Sequence, residues 1–217
     1  LPVFYTADNR QTPFPMSKKF YIPGQIYRLS LQETGLQAIK EFLFRVWYHY
    51  GCIAIVKTFY MQPHIGIPEK NLKSVNSLLS TVLADAVVLY TKTRKFHWNV
   101  SGESFMELHL LFEKQYNQLE EAIDEIAERI NKLGGKTIGT MKEFLDLTHL
   151  NEAPGKYPAR KEMIKELLED HETIIVHLRK AVEECQDEYK DAGTADFLTG
   201  LMEDHETNAW KLRRYFE

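Results

Sequence analysis

Apolar residues recur at three- and four-residue spacing over most of the chain, the period of a helix burying one face. From Asn71 onward, Leu72, Val75, Leu79, Val82, Ala86 and Leu89 form one such stripe, and it continues to Thr93 and His97. Asn99, Ser101 and Gly102 end this first helix. A second begins near Ser104 on the stripe Phe105, Leu108, Phe112, Leu119, Ile126 and Ile130, and Gly134-Gly135 stops it. TMKEFLDL predicts a short helix in the connection that follows. Pro154, Gly155 and Pro158 precede a third long helix, expected over Ala159–Ala192 and ended by Gly193. Thr194 is the expected cap of a fourth, running nearly to Glu217. Four long helices with a long link between the second and third predict an all-α protein, a four-helix bundle whose crossover carries a short helix.

Residues 1–60 break this pattern. They hold 13 of the 26 aromatic residues and a net charge of +4, whereas residues 61–217 carry −8. Within them SLQETGLQAIKEFLFRVWYHY reads as a helix and CIAIVKTFY as a strand. The chain begins with Leu, and the composition changes at Met61. The expectation is an unassigned extension over 1–60, from a start set too far upstream, and a bundle domain over 61–217. A genuine, poorly packed extension is the alternative. Two cysteines in 217 residues exclude a disulfide scaffold and a four-cysteine zinc site, and fit a reducing, cytoplasmic setting. LPVFYTADNR lacks the basic and apolar regions of a signal peptide, and no membrane span is expected.

Histidines and carboxylates add chemistry to the helices. His97 lies on the apolar stripe at the end of the first helix. His109 and Glu113 are an i, i+4 pair on the second, and Asp124 and Glu128 are another. At about 100° per residue these four fall within roughly 100° of one another, flanking the apolar stripe. Imidazole and carboxylate without thiolate suit Fe, Zn or Mn. Glu113 and Asp124 are about 16 Å apart along the helix, so one helix cannot bring both pairs to one ion. Two antiparallel copies of the helix, crossing near residue 118 or 119, would set His109/Glu113 of each opposite Asp124/Glu128 of the other. Against this, an Asp–Glu pair usually marks a solvated face, and a single histidine on an apolar stripe is usually a hydrogen-bonded core residue.

The run TRKFHWNVSGESFMELHLLFEKQYNQLEEAIDEIAERI resembles the signature of the Dps-like mini-ferritins, the DNA-protection-during-starvation family: FHWNV, a second histidine twelve residues on, then DEIAER. The resemblance covers residues 61–217, including GTADFLTGLMEDHE and AWKLRRYFE, and makes the expected bundle ferritin-like. It implies a hollow dodecamer that oxidises Fe(II), preferably with hydrogen peroxide, and stores ferric oxide, protecting DNA and cell from oxidative damage. It implies ferroxidase centres at two-fold interfaces, with His97, His109 and Glu113 from one subunit and Asp124 and Glu128 from its partner. The family often has Asp at the position of Glu113. Trp98 matches a tryptophan that intercepts oxidising equivalents, and packing is its other reading. Acids near the start of the fourth helix line family pores at three-fold axes, which makes Asp191 and Asp196 candidate pore residues, Asp196 the better; helix capping is the alternative.

LLEDHETIIVHLR (167–179) and LMEDHETNAWKLR (201–213) repeat at a separation of 34 and place His171 and His205 on apolar stripes. A second metal site and a pair of buried histidines satisfied by neighbouring acids are the two explanations. The competing function is a nucleoid-binding structural protein. Lysine-rich tails usually serve that role, yet residues 61–71 offer only Lys70, and a body of net −8 repels phosphate.

Overall fold

The computed structural model describes residues 18–22, 25–29 and 62–217, and the chain divides into two compact units, Leu1–Tyr60 and Met61–Glu217. In the first unit β1 (Lys18–Ile22) and β2 (Gln25–Leu29) form an antiparallel hairpin, with Lys18 opposite Leu29 and Ile22 opposite Gln25. Pro23-Gly24, a turn-prone dipeptide, lies between the two strands in sequence. The helix expected over residues 30–50 and the strand over 52–60 lie outside the described residues.

The second unit is a four-helix bundle. Its long helices are α1 (Glu69–Asn99), α2 (Phe105–Lys132), α4 (Arg160–Glu183) and α5 (Ala192–Arg213); the short α3 (Met141–Leu147) sits in the crossover. The pairs α1–α2 and α4–α5 pack most extensively, and α1 also packs on α3 and α4. Leu79, Leu89, Phe96, Phe112, Ile130 and Leu167, all essentially inaccessible to solvent, represent the core. Truncating one such side chain to Ala typically costs about 2–5 kcal/mol. By length and composition α1 could cross a membrane, yet its apolar stripe is the bundle's core.

Helix boundaries follow from local chemistry. At the end of α2 the Gly135 N–H reaches the Ile130 carbonyl and the Gly134 N–H the Asn131 carbonyl, both at 2.9 Å. Gly134 has φ +78°, and a Cβ there would lie 2.6 Å from Pro63, so both backbone and space demand glycine. Thr140 caps α3 in a reciprocal box with Glu143.

The third long helix is shorter than expected. It gives way to a π-helical turn, Glu184–Glu188, and the chain then reverses through Lys190 at φ +58°. Asp191, not Thr194, caps α5, its carboxylate accepting the Thr194 N–H at 3.0 Å. Gly193 is therefore inside the first turn of α5 rather than the stop of α4, where a Cβ would lie 3.0 Å from the Arg129 guanidinium.

Candidate metal centre

The turn between α1 and α2 creates the site. The Val100 N–H closes α1 onto the Phe96 carbonyl, and Gly102 (φ +87°) and Ser104 (φ +60°) swing the chain back. This tight reversal sets the last turn of α1 beside the first turns of α2, so His97 and His109 face one another. Their rings stack with centroids 3.8 Å apart and planes at 20°.

Reciprocal hydrogen bonds hold the stack. His97 Nδ1 donates to the His109 carbonyl at 2.8 Å, and His109 Nδ1 donates to the His97 carbonyl at 3.1 Å. The His97 carbonyl is one of the unpaired acceptors at a helix C-terminus, which explains its availability. A carbonyl only accepts, so each neutral ring carries its hydrogen on Nδ1 and keeps the Nε2 lone pair. That is the tautomer of a metal-ligating imidazole, with the other nitrogen fixed by an outer partner. Burial is partial: His97 is 8% exposed, and His109 and Glu113 are intermediate.

An aromatic and cationic cluster flanks the pair. Tyr116 meets His97 edge-on at 5.2 Å. The Arg94 guanidinium lies over Tyr116 at 4.8 Å and over Tyr90 and Trp98 at 5.4 Å each. Trp98 is 66% exposed, so core packing does not account for it. Sequence reasoning missed Arg94 and Tyr116. The spacing of Tyr90, Arg94 and Trp98, one helical turn apart each time, was the available signal for Arg94.

The carboxylates are placed separately. Glu113 borders a surface groove between α2 and α5 with Gln118, Thr207 and Lys211. Farther along α2, Asp124 is exposed and Glu128 pairs with Lys132 at 2.9 Å. Among the described residues no three His, Cys, Asp or Glu side chains gather tightly enough within one chain to hold a metal.

Asp191, expected as a pore residue or as a helix cap, makes the cap. It is 3% exposed, and its carboxylate caps α5 and pairs with Arg129 at 3.2 Å. Asp196 is exposed on the same helix.

His171 and His205 come together between α4 and α5, Nδ1 to Nδ1 at 2.8 Å. Their Nδ1 atoms satisfy each other, rather than neighbouring acids as one of the two explanations had it. Burial holds both pKa values down, His205 to about 4, and the proximity of His205 lowers His171 further.

A family model described as a ferritin-like domain matches residues 76–217. A low temperature-induced protein of Nostoc sp., itself uncharacterised, is 47% identical over 154 residues, 71% of this chain and 86% of the relative. DNA protection during starvation protein 2 of Bacillus anthracis is 40% identical over 143 residues, 66% of this chain and 97% of the relative. The chain belongs to the Dps-like mini-ferritins. DpsC from Streptomyces coelicolor superposes with a TM-score of 0.68 at 30% identity, over 70% of this chain and 89% of that one. For this mini-ferritin, the α1–α2 histidine pair is the part of the expected centre that one subunit assembles by itself.

Proposed function

We propose that this protein oxidises Fe(II) with hydrogen peroxide and stores the ferric product inside an oligomeric shell. The observation that carries the reading is the stacked His97/His109 pair, with both Nδ1 hydrogens given to backbone carbonyls and both Nε2 lone pairs left for metal. Iron is substrate and cargo here. His97, His109 and Glu113 of one subunit hold it together with Asp124 and Glu128 of a second copy, whose carboxylates favour the Fe(III) product. The exposure of Asp124 and Glu128 leaves them available to a partner. Two Fe(II) ions each give one electron to one peroxide, and with two protons this yields two Fe(III) and two waters. No hydroxyl radical is released in that stoichiometry, which is the protective point of the reaction.

Trp98, exposed beside His97 and under the Arg94 guanidinium, intercepts oxidising equivalents that escape the site. The shell is a cytoplasmic dodecamer built by residues 61–217, with residues 1–60 dispensable, and Asp196 gathers Fe(II) where three subunits meet. DNA is protected by removal of Fe(II) and peroxide rather than by contact, since the bundle carries a net charge of −8. The test mixes anaerobic protein with Fe(II) and adds peroxide. A ferric absorbance rise at two Fe(II) per peroxide is expected, with plasmid DNA in the same tube left unnicked. Retardation of DNA at physiological salt without iron oxidation would favour the nucleoid-binding alternative.

A further inference from the structure

Three oxidisable rings surround one cation beside the histidine pair. Tyr90, Arg94 and Trp98 lie along the C-terminal part of α1, and Tyr116 faces them from α2. Besides covering the three rings, Arg94 donates from Nη1 to the Tyr90 hydroxyl. Its Nε is buried without a hydrogen-bond partner. Aromatic faces and one phenol, rather than a bidentate carboxylate, therefore hold this guanidinium in place.

The ring contacts of the two histidines differ in chemistry. His97 meets Tyr116 at 5.2 Å, whereas His109 meets Phe105, also at 5.2 Å. A phenol can give up an electron and a proton together, and a phenyl ring has no such route. Tyr116 in turn meets Tyr90 edge to face, with centroids 6.2 Å apart and planes at 87°. An electron moving toward a metal held by His97 crosses one ring contact from Tyr116 and a second from Tyr90. Filling space beside His97 would need only Phe at position 116, and would not need a cation laid over three rings.

Peroxide takes two electrons. A centre holding two Fe(II) supplies both, and a centre holding one supplies half. Building on the iron-oxidising reading of the His97/His109 centre, and resting on it, we propose that Tyr116, backed by Tyr90, gives the missing electron when a single Fe(II) meets peroxide, and that Arg94 keeps this oxidation off Trp98. One Fe(II), one phenol, one peroxide and one proton yield one Fe(III), one neutral phenoxyl radical and two waters. The O–O bond and the phenolic O–H bond break. Two new O–H bonds form in water, one with the hydrogen of the phenol and one with a solvent proton. The next Fe(II), with one proton, restores the phenol and becomes Fe(III). Arg94 acts through its charge. An indole that loses an electron while keeping its N–H is a cation, and the guanidinium 5.4 Å from the Trp98 ring opposes it. A phenol that loses electron and proton together stays neutral and meets no such penalty. Trp98 is left to oxidants outside the site.

The test mixes the full chain, loaded with fewer Fe(II) ions than centres, with peroxide and freezes it on the millisecond scale for electron paramagnetic resonance. Protein made with ring-deuterated tyrosine identifies the radical, because that label narrows a tyrosyl signal and leaves a tryptophanyl signal unchanged. A signal that the label narrows is expected from the wild type. Tyr116→Phe, which keeps the ring contacts, should lose most of it. Arg94→Gln should shift part of the signal to a species the label does not narrow. A wild-type signal that the label leaves unchanged, or one that survives Tyr116→Phe, would overturn the relay; the label result stands even where the Phe variant fails to assemble. A signal that stays wholly tyrosyl in Arg94→Gln would overturn the role of Arg94. Ferric absorbance in the same wild-type samples separates the two readings: ferric product without a radical sinks the relay alone, and no ferric product sinks the iron chemistry and the relay with it.

Discussion

His97 and His109 meet at the α1–α2 turn, His171 and His205 between α4 and α5, and the pairs differ in what holds Nδ1. In the first, two carbonyls accept both Nδ1 hydrogens and the rings stack at 3.8 Å. In the second the rings tilt at 57° and bond Nδ1 to Nδ1, so one ring must spend its lone pair on the other. An orphaned buried N–H is rarely tolerated, so His171 donates, and its sealed Nε2 remains a lone pair without a partner. His97, His171 and His205 lie on apolar stripes of long helices, and His109 flanks one. Only the pair whose hydrogens are taken by pure acceptors, at an edge of the bundle, is free to bind metal.

The largest expected effect separates the pairs directly. His109→Ala should lower the rate of peroxide-driven iron oxidation by on the order of 100-fold, as loss of a ligand or its support commonly does. His171→Leu/His205→Leu should leave that rate near wild type. Stopped-flow ferric absorbance reads both, and a comparable loss in the buried double variant would erase the distinction.

Stability against pH sharpens the same contrast. The folded pKa of His205 is about 4 against an ordinary 6.5, and that of His171 is also depressed. The unfolded chain therefore binds more protons below pH 6.5, and stability is lost as pH falls from about 6.5 toward 4. Each buried histidine contributes up to about 1.4 kcal/mol per pH unit in that window. Nearby Asp85 opposes the shift at His205 without reversing it. Urea midpoints of the double Leu variant should fall less steeply over this range than those of the wild type; parallel slopes would show that the pair does not titrate on unfolding.

The smallest effect concerns supply. Asp191 and Asp196 sit on one helix end, one buried in a cap and one exposed. Asp196→Asn should slow iron uptake at low Fe(II) a few-fold, and the deficit should shrink as salt rises and screens the attraction. Stoichiometry of tight iron binding should not change. Uptake at the wild-type rate in low salt would make Asp196 an ordinary surface acid.

The bundle was legible because its helices obey one period and stop at glycines whose roles are local, as Gly134 shows. The α4–α5 junction was not, because Gly193 and Thr194 look like a stop and a cap, while Asp191 makes the cap from two residues before Gly193. His97 and His109 were legible through the motif, and His97 also through its stripe. Their tautomers were not legible, since these depend on carbonyls of residues 97 and 109 brought together by the turn. Nor was the stack of His149 on His177, which joins residues from α4 and the crossover. The pairing of His109/Glu113 with Asp124/Glu128 of a second copy is the centre of the functional reading.

Mixed assembly tests that reading most directly. Chains with His109→Ala and chains with Asp124→Ala should each be nearly inactive as ferroxidases. Unfolded and reassembled together in equal amounts, about half of the two-fold interfaces pair unlike chains. In each of those, both lesions fall on one site and the other is whole, so roughly a quarter of all sites regain function. The account predicts iron oxidation recovering to about that fraction of wild type. Mixed shells no more active than either parent would contradict a centre shared between subunits.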